Sequence, residues 1–304
     1  MDGILVIDKP ENYTSHDVVA RLRGILKTKR IGHTGTLDPF ATGVLVMLIG
    51  KATRLAKFLD KDAKGYEATV RFGFETDTGD RTGELRITNY ELRDFSESEL
   101  EAALADFLGE IEQTPPMYSA KKIKGKKLYE LARQGVEVPR EPVKISIYEL
   151  ASIESPKEDK IQNSKTIDRT ILVSCSAGTY VRTLAEDIGR KLGTGAHLAE
   201  LRRTKAGKFD LSKAISIEEL EKVVADKRLN EFLISMNTAV AHLPPIVLTA
   251  AQIKDTQNGK KLRYENTELA DDQLMRMIDA AENLIAVGFY LHREKSVQPK
   301  LVLV

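Results

Sequence analysis

GHTGTLDPFATG, residues 32–43, packs three glycines, two hydroxyl residues close to His33 and the pair Asp38-Pro39 into twelve positions. Such a composition describes a tightly turning loop. It stands between a basic helix and the apolar run at residues 44–49. Two readings of Asp38 follow from the chemistry. It is the first residue of a turn, where Asp before Pro is favoured. Alternatively it is a carboxylate held on a rigid loop, beside an imidazole and exposed amides and flanked by cations.

Upstream, Thr14 or Ser15 can cap a helix whose apolar stripe is Val18, Val19, Leu22 and Leu26. Downstream, Ser96 and Glu99 make a capping box for a helix through Leu100, Ala103, Leu104, Phe107, Leu108 and Ile111. Ser216 with Glu219 opens another helix, and residues 182–192 read as a helix stopped by Gly193. Strand-like runs lie at residues 4–7, 66–74, 143–153 and 170–174. The order mixes helices and strands without a regular βαβ alternation, so an α+β fold with a mixed, mainly antiparallel sheet flanked by helices is expected.

The length, 304 residues, suits about two domains. Pro244-Pro245 marks a boundary, giving a large domain at 1–243 and a small β-rich one at 244–304. The small domain shows a turn signal at Asn258-Gly259, an acidic, helix-like middle at 269–283, and strand-like runs at 284–291 and 300–304. The polar stretch 154–165 reads as a surface loop, and no internal repeat is evident.

Composition excludes several classes. Apolar and charged shares of 42% and 30% argue against disorder. The longest purely apolar run falls far short of the roughly 20 residues that span a bilayer. The start, MDGILVIDKP, lacks the regions of a secretory signal, so a cytoplasmic protein is expected. One thiol, Cys175, permits neither an intrachain disulfide nor a cysteine-based zinc cage, and its apolar neighbourhood reads as core. Gly43 and Gly50-Lys51 have the wrong glycine spacing for a phosphate loop, with Ala52 where a hydroxyl is required; no GxGxxG follows a strand, and the five histidines form no close ligand pair. Neither a metal nor a cofactor is expected.

The net charge of +1 conceals an uneven distribution. Five cations and no acid fall between Arg21 and Arg30, and six cations meet only Glu130 between Lys121 and Arg133. Arg202, Arg203, Lys205 and Lys208 form a third cluster, whereas nine acids collect between residues 84 and 112. A basic face opposite an acidic back suits phosphate binding; solvated helix faces would read the same.

The loop 32–43 with its continuation, GHTGTLDPFATGVL, resembles the catalytic loop of the TruB family of tRNA pseudouridine synthases. The resemblance extends through LVIDKPENYTSHDVV near the start, KGYEATVRFGFETDTGD around Tyr66, TPPMYSAKKIKGKKLYELARQG at 114–135 and SAGTYVRTLAEDIGRKLGTGAHLAELRRT at 176–204. These matches cover most of residues 1–210 in the family's order.

The resemblance implies a pseudouridine synthase catalytic domain at 1–243 with an RNA-gripping insertion at about 118–140, followed by a PUA-like RNA-binding domain. It implies isomerisation of uridine 55 in the TΨC loop of tRNA, without cofactor, by base flipping, cleavage of the glycosidic bond, rotation of the uracil and reattachment through C5. Asp38 matches the essential catalytic aspartate and Arg182 the arginine that pairs with it. Tyr66 matches the tyrosine that stacks on the flipped base and helps move the C5 proton. His33 matches the histidine that fills the space the base leaves, and Tyr180 and Leu201 match pocket residues. Lys9 and Pro10 match a buried supporting motif. Lys121 and Lys122 lie in the insertion, whose lysines are expected on phosphates and whose Gly125 and Gly135 permit motion.

The implied partner is the T stem-loop of tRNA, acted on by a monomer without a protein partner. A binding module that opens and refolds tRNA is the competing reading, and both activities fit in one protein. A guide-RNA-dependent enzyme is disfavoured, because the chain lacks long basic terminal extensions.

Overall fold

The computed structural model describes residues 1–59, 62–86, 90, 93–119, 121–123, 125–132, 134–153, 166–266 and 268–303. In chain order the elements are β1 (Gly3–Lys9), α1 (Ser15–Leu26), β2 (Ile31–Thr34), β3 (Thr42–Ile49), α2 (Ala56–Leu59), β4 (Lys64–Phe72), β5 (Glu75–Thr76), β6 (Leu85–Arg86), α3 (Glu97–Ala105) and β7 (Gly109–Gln113). They continue with β8 (Lys122–Ile123), β9 (Lys126–Lys127), α4 (Leu128–Ala132), β10 (Val143–Ile153), β11 (Ile167–Cys175), α5 (Val181–Leu192), β12 (Ala196–Ala206), β13 (Phe209–Asp210), β14 (Ala214–Ile215) and α6 (Ile217–Ala225). The last are α7 (Met236–Ala239), β15 (Pro245–Val247), α8 (Ala250–Gln257), β16 (Leu262–Arg263), β17 (Leu274–Ile278), β18 (Leu284–Leu291) and β19 (Ser296–Val302).

The main sheet runs β14-β1-β3-β12-β4-β11-β10-β7, with β2 added on β3 and β13 on β12. Its pairs are antiparallel except β1 with β14 and β12 with β3. That is the mixed, mainly antiparallel sheet of an α+β fold. A second sheet, β15-β17-β18-β19-β16, begins at Pro245.

The unbroken apolar character of β3 has a physical cause, burial on both faces. Leu45, Met47 and Ile49 pack with Leu5 and Ile7 of β1 under α1 and α6. Val44, Val46 and Leu48 point the other way, joining Ile4 and Val6 against Ile278, Leu284, Val287, Leu301 and Leu303 of the C-terminal part. The second sheet therefore covers the strand that leads out of the Asp38 loop. A third core fills the space between α3, α5 and strands β4, β10, β11 and β12.

Capping chemistry sets the helix starts. Thr14 and Asp17 form a reciprocal capping box on α1, Ser96 and Glu99 do so on α3, and the Ser216 hydroxyl accepts from the Glu219 amide on α6. Helix α5 ends where Gly193 turns left-handed at φ 72°.

Three sequence expectations are corrected. The helix expected to run through Ile111 stops at Ala105; Gly109 takes φ +90° and Ile111 pairs with Ile145 in the sheet. Pairing with β10 there satisfies the backbone more completely than another helical turn, and tertiary context overrides periodicity. The helix-like middle of the tail is instead strand β17, because Met275 and Met277 alternate into the core. The turn after it is tied by Asp279, whose carboxylate accepts from the amides of Ala281 and Asn283. Finally, the third cationic cluster is not a free basic surface: Arg203 is buried and Arg202 is paired in bidentate fashion with Asp8 at 3.1 and 2.7 Å. The stretch 154–165 and Lys124 and Arg133 of the insertion lie outside the described residues.

Candidate active site

Loop 35–41 is anchored from three directions. Ser15, buried at the start of α1, accepts from the Leu37 amide at 2.9 Å and donates to the Leu37 carbonyl at 3.3 Å. Lys9, at the end of β1 and fully buried, donates to the carbonyls of Pro10, Tyr13 and Pro39 at 2.9, 2.6 and 3.2 Å. Three acceptors match the three protons of an ammonium group, which is how a buried lysine is satisfied. Burial nevertheless pulls its pKa down to about 8, with Asp38 pulling the other way.

Arg203 on β12 is the third anchor. Its guanidinium donates to the carbonyls of Val44, Gly35 and Thr36 at 2.7, 3.1 and 3.5 Å. The approach is close because position 43 is glycine: at φ +97° a Cβ there would stand 2.2 Å from the Arg203 carbonyl oxygen.

Within the loop, Asp38 begins a turn, with the Ala41 amide donating to its carbonyl at 3.1 Å. Its carboxylate faces Arg182 in the first turn of α5, at 2.9 Å from Nε to Oδ2 and 3.4 Å from Nη2 to Oδ1. The aspartate thus opens a turn and also faces a cation. Arg182 is only 6% exposed, against 33% for Asp38, so the guanidinium is the fixed partner and the carboxylate is the one open to solvent.

The other donors of Arg182 fix its direction. It donates to the carbonyls of Thr78 and Tyr118 at 2.9 and 2.6 Å, and stands 3.5 Å from the buried carboxylate of Asp80. Asp80 is held by the Thr82 amide and by the hydroxyls of Thr78 and Thr82. One guanidinium thus lies between two carboxylates. Burial pushes the Asp38 carboxyl above the usual aspartate range, Arg182 opposes this, and Asp80 adds to it.

Asp38 and Arg182 line a cavity of about 270 Å³ together with Tyr66, Tyr180, Leu201, Arg203, Lys64 and the segment 176–181. Tyr66 on β4 is nearly buried, and its hydroxyl bonds to the Arg203 guanidinium. Burial raises its pKa, so the phenol keeps its proton. Tyr180 is placed by Gln113 of β7, whose side-chain amide donates to the Tyr180 carbonyl at 3.1 Å and accepts from its amide at 2.7 Å. Tyr66, Tyr180 and Leu201 give the cavity an aromatic and apolar wall, Lys64 and Arg203 add cationic groups, and Asp38 is paired with the Arg182 guanidinium. Such a cavity can hold a flat polar ring and present an anionic oxygen to an electrophilic carbon.

The structure therefore brings together Asp38, Tyr66, Tyr180, Arg182 and Leu201 from four separate segments. His33 stays outside the cavity lining, on β2 opposite Met47. Its ring lies edge-on to His16 at 6.2 Å, its Nδ1 is buried without a partner, and burial keeps it below the ordinary imidazole range. Lys121 also lies away from the lining, and the backbone of Lys122 pairs with that of Lys127 across the small hairpin β8–β9.

Ser15, Asp80, Gln113 and Arg203 were not assigned to the site from sequence. Asp80 and Arg203 stood inside stretches carrying the family resemblance, as did Ser15; Gln113 had no signal. A larger hollow of about 400 Å³ near Tyr290 and His292 of the second sheet lies apart from these groups. Among the described residues no group of His, Cys, Asp and Glu is disposed to hold a metal ion, and no helix is long and apolar enough to cross a membrane.

Residues 23–181 match the model of the TruB family pseudouridylate synthase N-terminal domain, and residues 182–241 match that of the tRNA pseudouridylate synthase B C-terminal domain. The tRNA pseudouridine synthase B of Solibacter usitatus is 42% identical over 291 residues, covering 95% of each chain. That of Geobacillus thermodenitrificans is 44% identical over 263 residues, covering 86% of each. Among solved structures, a chain of a Cbf5-Nop10-Gar1 complex superposes with a TM-score of 0.74 at 25% identity, covering 99% of this chain and 85% of that one. A chain of an H/ACA RNP bound to a substrate RNA containing 2'-deoxyuridine shares the fold, with a TM-score of 0.75 at 24% identity over 99% of this chain and 85% of that one.

Proposed function

Because the chain belongs to the TruB family of pseudouridylate synthases, an isomerase family with members named tRNA pseudouridine synthase B, we propose that it converts uridine 55 in the TΨC loop of tRNA to pseudouridine, with Asp38 as the essential group. The observation that carries this reading is the exposed face of Asp38, ion-paired at 2.9 Å to a buried Arg182 in a cavity walled by Tyr66, Tyr180 and Leu201.

The reaction breaks the bond from uracil N1 to the ribose C1', turns the uracil and forms the bond from C5 to C1'. The C5 proton is lost and N1 gains one, so no oxidant, reductant or group donor is consumed. Attack on the sugar, attack on the base and removal of a sugar proton all ask the same of Asp38, an ionised and directed carboxylate. Arg182 supplies both properties through charge and a two-point contact. The uracil must leave its stack at a cost of a few kcal/mol. Tyr66 stacks on the flipped base and Tyr180 and Leu201 close around it, while the neutral ring of His33 takes the vacated space in the RNA.

Lys121 and Lys122 in the insertion at about 118–140 bind phosphates. Residues 244–304 act as a PUA-like RNA-binding domain. In this reading the protein acts as a monomer in the cytoplasm, with tRNA as its partner and no second protein.

The test is tritium release from a tRNA transcript labelled at uracil C5, comparing the protein with Asp38→Asn alongside tRNA affinity. Release by the unaltered protein alone, with binding kept within a few-fold in the variant, is expected. Release by both would overturn the role of Asp38. Release by neither, with tight binding in both, would leave a tRNA-refolding protein.

A further inference from the structure

Helix α5 carries Arg182, Glu186 and Arg190 at successive four-residue steps, so the three side chains follow one side of the helix. All three meet the segment 75–80, ETDTGD. At one end, Arg182 holds the Thr78 carbonyl and stands against Asp80. At the other, Arg190 grips Glu75 fork to fork, with Nε to Oε1 at 2.8 Å and Nη2 to Oε2 at 3.0 Å. Between them the turn presses onto the helix at Gly79, where a Cβ would stand 3.1 Å from Glu186 Oε1 and 3.5 Å from Arg182 Cβ.

Glu75 is 3% exposed, so its charge has little water to stabilise it. Its cationic neighbours are Arg190 and, at 3.7 Å, Arg86 on β6. Glu186 and Asp187 on α5 add negative charge, and burial beside Glu75 pushes the Glu186 carboxyl up to about 7. Without Arg190, Glu75 and Glu186 would face each other with only Arg86 to compensate. The β5 end of the segment would then move away from the helix.

Resting on the reading of Asp38 and Arg182 given above, we propose that Glu75 and Arg190 are a positioning pair for this reaction. Their two-point contact holds the segment 75–80 against α5, so that Thr78 and Asp80 keep the Arg182 guanidinium aimed at Asp38. Neither residue lines the cavity, so both act through Arg182. A displacement of about 1 Å at a reacting group can cost on the order of a hundredfold in rate, and a fork-to-fork pair controls displacements of that size.

The experiment uses the full-length protein in single-turnover tritium release with enzyme in excess, tRNA affinity by filter binding, and the pH dependence of the rate. The variants are Arg190→Gln and Arg190→Lys. Arg190→Gln is expected to lower the single-turnover rate by roughly tenfold or more, leave tRNA affinity within about twofold, and move the acid limb of the rate to higher pH, because a less well-aimed Arg182 stabilises the Asp38 carboxylate less. Arg190→Lys, which keeps the charge but not the fork, is expected to recover part of the rate. An unchanged rate and acid limb in a folded Arg190→Gln protein would overturn the proposal. So would a rate loss with an unmoved acid limb, the result of a merely structural role. Should Arg190→Gln fail to fold, the same two readouts on Arg190→Lys decide. If the unaltered protein releases no tritium, the uridine-isomerase reading itself fails, an outcome distinct from an active protein whose variants are equally active.

Discussion

Lys9 Nζ donates to the carbonyl of Pro39 at 3.2 Å, one residue beyond Asp38, and so ties the end of β1 to the loop that carries the candidate catalytic carboxylate. The lysine is fully buried, and burial pulls its pKa from the ordinary lysine value of 10.5 down to about 8. Between those two values the unfolded chain holds the proton and the folded one does not, so the unfolded state binds more protons and stability rises with pH. Relative to Lys9→Met, the unaltered protein should therefore gain stability between about pH 8 and 10.5, by a few kcal/mol at most. Urea unfolding of both proteins at pH 7.5 and pH 10 measures the difference; a constant gap would show that Lys9 does not titrate in the fold.

Asp80 shares Arg182 with Asp38 and raises the pKa of Asp38 by its own charge. The rate should accordingly fall on the acid side at a pH above the usual aspartate range, since a raised carboxyl takes up its proton earlier as pH drops. Asp80→Asn removes a negative neighbour and leaves Arg182 to one carboxylate, and both effects lower the pKa of Asp38. The acid limb should move to lower pH in this variant even if the maximal rate falls. A pH profile of single-turnover tritium release checks the direction, and an upward move would contradict the electrostatic account.

Lys121 and Lys122 are assigned to phosphates, which makes their contribution dependent on salt. Exchanging both for glutamate should weaken tRNA binding about equally for different tRNA sequences and lower the slope of log affinity against log salt by about 2. Filter binding from 50 to 300 mM salt, set against the unaltered protein, tests this. An unchanged slope would remove the hairpin from the RNA interface.

Much of this architecture is legible in local sequence because its causes are local. The capping boxes at Thr14 and Ser96, the glycine stop at Gly193 and the Asp38-Pro39 turn all depend on residues within four positions of one another. The apolar run at residues 44–49 signalled burial for the same reason, since a strand covered on both faces has no polar alternation.

Local sequence did not determine where distant segments would compete or meet. Ile111 left its expected helix because strand β10, remote in the chain, offered pairing, and Met275 left its own because β17 is flanked by β18 and by the more distant β15. Arg203 reads as one more cation of a cluster until the fold sets it 2.7 Å from the Val44 carbonyl, and Asp80 gains its role only when Arg182 arrives from 102 positions away. A motif can name Asp38, since a turn and a carboxylate are contained in twelve residues. The charge and direction of that carboxylate depend on burial and on partners from β1, β12 and α5, and those exist only once the sheet has closed.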